Sequence, residues 1–464
     1  LNPENPKSRS RSKTSAIPLV QFGGFLVAAL IIAAGLAIQS GKRAGVHAEV
    51  QKRLEAIRAA GYPMTALDLA KRYPDPPPER DAALLLKPAL AVLAIPEDPT
   101  NLFCFGLDLP RSAPLDPVAA SEGRACLDRN QTALAMVPWS QIVSAWIGSG
   151  YTNGLTNITG GPLKAMDQLA SLLCLKAVLS AEQHQAHAAM DSLRQASEIA
   201  NTLKNDLQIH FLTKSDIELR VLEALERAVN RASIPETDLE SFPGCLTMSN
   251  RGATKETLLF NEVPRSLFDA QVMQSKANNM TRGFVSPWRR PLRAYPGDSP
   301  YDEGDLLEYL KWHEQSSVAL EAPMPGAIQN LRNLDALRGD SPFDPPRTGR
   351  VSLMAIHEPS VRSFFLQELM AVARVRAAIL ALAVERWRIA GNGRLPGSIA
   401  ELVPRFIPAI PADPFDGKPL RYRKLPNGYM IFSDGENLTE DWADPAPAWE
   451  ALLKSWHPAF TVDR

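Results

Sequence analysis

Ile17 to Ile38 reads IPLVQFGGFLVAALIIAAGLAI, twenty-two residues with no charge and a single polar side chain, Gln21. As a helix rising 1.5 Å per residue, the run is about 33 Å long, enough to cross a hydrocarbon layer roughly 30 Å thick. It reads as a transmembrane helix over residues 17–38. The competing reading is a long secretory signal, with Gly35, Leu36 and Ala37 supplying small residues near a cleavage point. Signal cores run about 7–15 residues, so the length favours an uncleaved anchor.

Four basic residues precede the run (Lys7, Arg9, Arg11, Lys13) and four follow it closely (Lys42, Arg43, Lys52, Arg53). The counts tie. The first four stand in a short polar tail, residues 1–16, offset only by Glu4, and such a tail stays on the cytoplasmic side. The expected arrangement is therefore a single-pass protein of the cytoplasmic membrane, with its body extracytoplasmic.

A chain of 464 residues forms two or three domains. Fifty basic residues face fifty-one acidic ones, so no overall field draws in nucleic acid, and none is expected as a partner. The four cysteines show no CxxC spacing. Export would permit a Cys104–Cys126 bridge, whereas Cys174 lies in an apolar run and reads as a buried thiol.

Residues 44–247 read as a helical body. Val46 to Ala60 has helical period through Val50, Leu54 and Ile57, then stops at Gly61 with Pro63 behind it. A short helix is expected around Ala66–Tyr73, and another over Arg80–Leu93 that Pro88 ends or bends. Between Lys164 and Leu207 the pattern is an αα-hairpin. One arm carries Leu169, Leu172, Leu173 and Leu179, the other Met190, Leu193, Ile199 and Leu203, with the joint at Glu182–Gln185. The unit resembles a tetratricopeptide repeat, and an ordinary helical bundle accounts for it equally well. Further helices are expected at Ser215–Asn230 and Pro235–Leu239. Residues 248–350 are irregular and proline-rich, with one clear helix near Leu306–Gln315.

The closing segment, 351–464, predicts a long helix and a small antiparallel sheet. From Ser363 the helix lines up Leu366, Ala373, Leu380 and Trp387, with Met370, Ala377 and Val384 beside them, and Glu368, Arg376 and Arg388 fall away from that seam. Gly391 to Gly397 is a C-cap and turn, then comes a short helix at Ser398–Val403. Leu420, Tyr422 and Leu425 start a strand on one face. Asn427-Gly428 marks a hairpin, and Tyr429 to Phe432 returns. In the turn Asp413 to Pro419, Pro414 and Pro419 pre-set φ, Gly417 permits the bend, and Asp413 or Asp416 accepts backbone N–H groups. The fold class is thus mostly α, an N-terminal transmembrane helix and helical-hairpin body with a small α+β module.

No residue constellation reaches motif strength for catalysis. His184 and His187, three apart with only Glu182 nearby, read as a hydrated surface pair rather than zinc ligands. Trp312-His313-Glu314 and His357-Glu358 lack the HExxH partner, and neither G-x-S-x-G nor the phosphate-binding glycine loops occur. No catalytic or cofactor-binding residue is assigned.

The run Gly393 to Gly435 resembles the C-terminal part of the major pseudopilin of type II secretion. Leu395-Pro396, Leu402, Pro411, Asp413-Pro414-Phe415, Gly417, Pro419, Tyr422 and Ser433-Asp434-Gly435 fall at places comparable with that family's pattern. Against it, more than three hundred residues separate anchor and module, and cutting after Gly24 puts Ala29 where a prepilin has Glu. The chain as a whole also resembles membrane-anchored proteins of planctomycete-like bacteria that repeat this closing module. The first resemblance implies a local fold of helix plus sheet, and calcium in the loop after the sheet. Asp434, Glu436, Asn437, Glu440, Asp441 and Asp444 lie within eleven residues there and offer oxygens of the kind calcium takes. A bare hydrated loop is the competing reading.

The leading expectation is a non-enzymatic, membrane-anchored scaffold or protein-binding protein of the cell envelope, with an envelope protein as partner. A pseudopilin-like component of a secretion or assembly machine and an envelope hydrolase with an unrecognised site are the alternatives.

Overall fold

The computed structural model describes residues 19–94, 112–148, 150, 161–204, 208–246, 303–338, 361–435 and 458–464. Among them are nine helices of ten residues or more. These are α1 Leu19–Ala59, α2 Ala82–Ala91, α3 Pro117–Arg129, α4 Gly161–Glu182, α5 Ala186–Asn201, α6 Gln208–Arg231, α7 Glu303–Glu321, α8 Gly326–Arg338 and α9 Val361–Ala390. Three strands, β1 Arg421–Leu425, β2 Gly428–Phe432 and β3 Ala459–Asp463, form one antiparallel sheet in the order β1-β2-β3. The protein is therefore mostly helical with a small C-terminal sheet.

From Leu19, the apolar run and the amphipathic stretch after it belong to one helix, α1, of 41 residues and about 60 Å. No proline interrupts Gln39 to Ala44, and the helix continues to the expected stop, where Gly61 takes a φ of 81°. Among the described residues no helix is long and apolar enough to cross a membrane. Most side chains of the Ile17–Ile38 run lie outside the described residues. Past the run, Val46, Val50, Leu54 and Ile57 pack against Leu306, Leu307 and Leu310 of α7, and Arg53 pairs with Glu314 at 2.6 Å.

Thr65 starts the short helix Ala66–Arg72 with a capping box to Asp68. Pro88 does not end its helix; α2 runs through it to Ala91. The hairpin α4–α5 folds as its spacing predicts, and α6, beginning seven residues before the expected start, packs on both arms. The helix expected at Pro235–Leu239 lies at Glu236–Ser241. In the 248–350 stretch, α7 is longer than its sequence signal, and α8 pairs with it.

Helix α9 departs from the expected single seam. Glu368 is 1% exposed, and from Ala371 to Glu385 most positions are buried on every side. The reason is that α9 is shared. Its N-terminal half packs Phe364, Phe365 and Leu369 with Phe211 of α6, Leu320 of α7 and Ile328 of α8. Its C-terminal half carries Val375 to Val384 into the large core formed by α4, α5, α6 and the sheet. Helical body and sheet thus share one apolar core across segments far apart in sequence.

In the sheet, Leu425 pairs with Gly428, so the two-residue loop is Pro426–Asn427. Gly428 is a strand residue. Its glycine serves close approach, because a Cβ there would lie 1.8 Å from the Val462 carbonyl oxygen of β3. Tyr422 stays with Leu420 against the core, whereas Leu425, three residues on, falls on the other face by strand alternation. Strand β3 itself had a readable period-two signal, Phe460 and Val462, both buried. Its outer edge is closed by α6. Glu226 accepts from the Thr461 N–H at 2.6 Å, while the Asn230 amide donates to the Thr461 carbonyl and accepts from the Asp463 N–H, both at 2.8 Å. One helical turn thereby substitutes for a fourth strand.

Candidate functional site

The turn before β1 holds the densest charge in the module. Asp413, 1% exposed, accepts from the Phe415 N–H at 2.9 Å and the Ser433 hydroxyl at 2.8 Å. Asp416 accepts from the Lys418 N–H at 2.9 Å. Both carboxylates therefore do what the turn chemistry predicted, and Gly417 bends between them with a φ of 76°. Arg421, on β1, joins them, reaching Asp413 and Asp416 at 2.6 Å each and Asp434 as a third partner. Burial raises the Asp413 carboxyl above the usual range, against the opposing pull of its hydrogen bonds. At Asp416 burial acts the same way, but the bond from Arg421 outweighs it and the carboxyl is held low.

Asp434 is the one described residue among the six expected calcium ligands. Glu436, Asn437, Glu440, Asp441 and Asp444 lie outside the described residues. One Asp434 oxygen meets Arg421, and Oδ1 is buried with no hydrogen-bond partner among the described residues. Among those residues no group of three or more histidine, cysteine, aspartate or glutamate side chains is placed to hold a metal. Three carboxylates surround the Arg421 guanidinium, and Lys418 also reaches Asp416, at 4.0 Å.

The two histidines do not form a pair. His184 sits in the turn between α4 and α5 at a φ of 59°, its Nδ1 3.0 Å from the Arg231 carbonyl oxygen. His187, on α5, places Nδ1 2.5 Å from Asp238, while its ring is 75% exposed. Asp238 is buried and also receives Arg194 at 2.5 Å. Burial would raise the Asp238 carboxyl, but the bonds from Arg194 and His187 prevail and hold it low. The same hydrogen bond raises His187 above the ordinary imidazole value. His313 is buried on α7, and burial pushes it down to about 3. His357 and Glu358 lie outside the described residues.

Cys174 is a buried thiol as expected, raised to about 12 by burial. Cys126 is a buried free thiol, and Cys104 lies outside the described residues.

A third polar site had no sequence signal, because it joins residues from three distant segments. Where α6 and α9 end beside β3 there is a half-open cavity of about 220 Å³. Val229, Ile234 and Leu239 form its apolar floor, and Glu385, Arg388 and Arg464 its charged wall. Glu385 is buried, lies 3.0 Å from the Tyr429 hydroxyl, and pairs with Arg464. Arg464 also donates to the carbonyls of Val229 and Ala232 at the end of α6.

No known protein family, curated protein or solved structure matches this chain.

Proposed function

We propose that this chain is a non-enzymatic scaffold of the cell envelope, held at the cytoplasmic membrane by α1, whose helical body binds another envelope protein. The observation that carries the reading is the course of α1. From Ala34 to Gly45 every described side chain is exposed, including Leu36 at 44% and Ile38 at 61%. From Val46 onward the same helix is fastened to α7. A rigid rod leaving the body with apolar side chains uncovered suits insertion into lipid, where those side chains gain about 25 cal/mol for each Å² removed from water. Ion pairs between segments support a scaffold in a second way. Glu182 holds Arg227 and Arg231, and those arginines reach the carbonyls of Ala113 and Ser112, so ion pairs tie distant segments into one frame.

Washing membranes that contain the full chain with alkaline carbonate tests the anchor: retention supports it, and release of the protein removes it. Protease added to intact spheroplasts should digest the body, and full protection reverses the orientation. Purification from detergent should bring one envelope protein along in stoichiometric amount; the chain emerging alone from several mild detergents ends the partner reading.

Calcium at the loop after β2 belongs to the same proposal. Its support is the Asp434 Oδ1 acceptor, buried with no hydrogen-bond partner among the described residues. The pseudopilin-like alternative rests on α9 packing against β2 and β3, the helix-on-sheet arrangement that the resemblance implies. A filament or secretion pseudopilus that co-purifies with the chain would favour it over the scaffold.

A further inference from the structure

We infer that the cavity at the junction of α6, α9 and β3 binds a free carboxylate attached to a small apolar group, with Arg388 as the anion's partner. The two helices that end here would ordinarily oppose an anion, since helix C-termini carry partial negative charge. Both ends are already answered. The Val229 and Ala232 carbonyls of α6 accept from Arg464. At the end of α9, the carbonyls of Trp387, Arg388 and Ile389 accept from the N–H groups of Gly391, Gly393 and Asn392. Glu385 is likewise engaged, by Arg464 and the Tyr429 hydroxyl.

Among the side chains that line the cavity, Arg388 and Arg464 share one carboxylate, Glu385, and Arg464 holds it more closely. Among the described residues the one ion-pair contact of Arg388 is Nε to Glu385 at 3.7 Å, and its side chain is 24% exposed. Its terminal nitrogens therefore remain available for the two-pronged bond that guanidinium makes with carboxylate. Beside it, Val229, Ile234 and Leu239 are buried at the cavity floor, and Ile389 stands 46% exposed at its rim. An apolar hollow next to a guanidinium whose terminal nitrogens pair with no carboxylate among the described residues selects a carboxylate with one compact apolar substituent. A cavity of about 220 Å³ limits that substituent to roughly one amino-acid side chain. Two sources share this chemistry, a small branched monocarboxylate and the C-terminal residue of a peptide. The site consists of body and module residues alone, so it stands whether or not α1 lies in a membrane.

The full chain in detergent is titrated calorimetrically with N-acetyl-leucine, with N-acetyl-leucine amide, and with hexapeptides ending in leucine as free acid or amide. Saturable binding of the acid, weakened at least about tenfold in the amide and in Arg388→Gln, is the expected result. Ile234→Trp, which fills the floor, should abolish binding while the far-ultraviolet spectrum stays that of the parent. If the free-acid peptide binds as well as N-acetyl-leucine, the source is a protein C-terminus; if it does not bind, the source is a small carboxylate. No saturable binding of any acid, or equal binding of acid and amide, overturns the site.

Discussion

At the scale of the residue, several side chains have roles that their type alone does not announce. Gly428 is glycine because β3 runs against it. Gly428→Ala should lower stability by about 1–3 kcal/mol through overpacking, read as a fall in the urea midpoint; an unchanged midpoint would show that β3 moves away freely. Trp387 meets Phe406 edge-on at 5.6 Å and is half-buried rather than enclosed. Trp387→Ala should therefore cost about 2 kcal/mol, short of the roughly 3–5 kcal/mol of an enclosed aromatic. A larger loss would place its indole deeper than α9 does. His187 makes the ion pair with Asp238 a function of pH. Its folded-state pKa is raised, so the stabilisation is complete below the unfolded imidazole value of about 6.5 and is lost as pH rises through the folded value. Proton resonance titration should show His187 titrating higher in the parent than in Asp238→Asn, and coincident curves would dismiss the coupling.

At the scale of the element, the sheet survives because its neighbours complete it. Glu226 and Asn230, four apart on α6, face the same way and meet the backbone of β3. Asn230→Leu strands one N–H and one carbonyl. It should cost about 1–3 kcal/mol and accelerate hydrogen exchange at Asp463 before any other strand amide; uniform exchange would deny the helix that role. The calcium proposed at the loop that begins with Asp434 makes a second element-scale prediction. Millimolar calcium should raise the melting temperature of the full chain, and magnesium should raise it less, since magnesium dehydrates reluctantly and demands a compact octahedron. Identical melts in calcium and in chelator would end the calcium reading.

At the scale of the whole molecule, α9 decides the architecture. It touches α6, the short helix Glu236–Ser241, α8 and the sheet, so the hairpin body and the C-terminal module cannot separate without exposing the core they share. Proteolysis between them should leave both pieces associated under native conditions, and their separation on a sizing column would indicate two independent cores. Replacing Val50 and Leu54 with Asp should detach α1 from α7 and leave the rest folded.

Helix existence was legible in the sequence wherever one face is apolar at a 3.6-residue period, as in the hairpin arms through Leu169–Leu179 and Met190–Leu203. Local turn chemistry was legible for the same reason: Asp413, Asp416 and Gly417 act on backbone only a few residues away. Asn427-Gly428 located the hairpin, but the chemistry that fixes Gly428 comes from Val462, thirty-four positions on. Period alone also misread Glu368, because a helix enclosed by several partners has no solvent face for a charged residue to mark. The Arg421 cluster, the His187–Asp238 pair and the cavity at Arg388 were not legible. Each joins side chains that packing brings together, across separations of up to 235 residues for Arg464 and Val229. Sequence by itself determines interactions whose range is a helical turn or a tight bend; charge pairing and cavity shape depend on which surfaces the core forces into contact, and tertiary structure alone decides that.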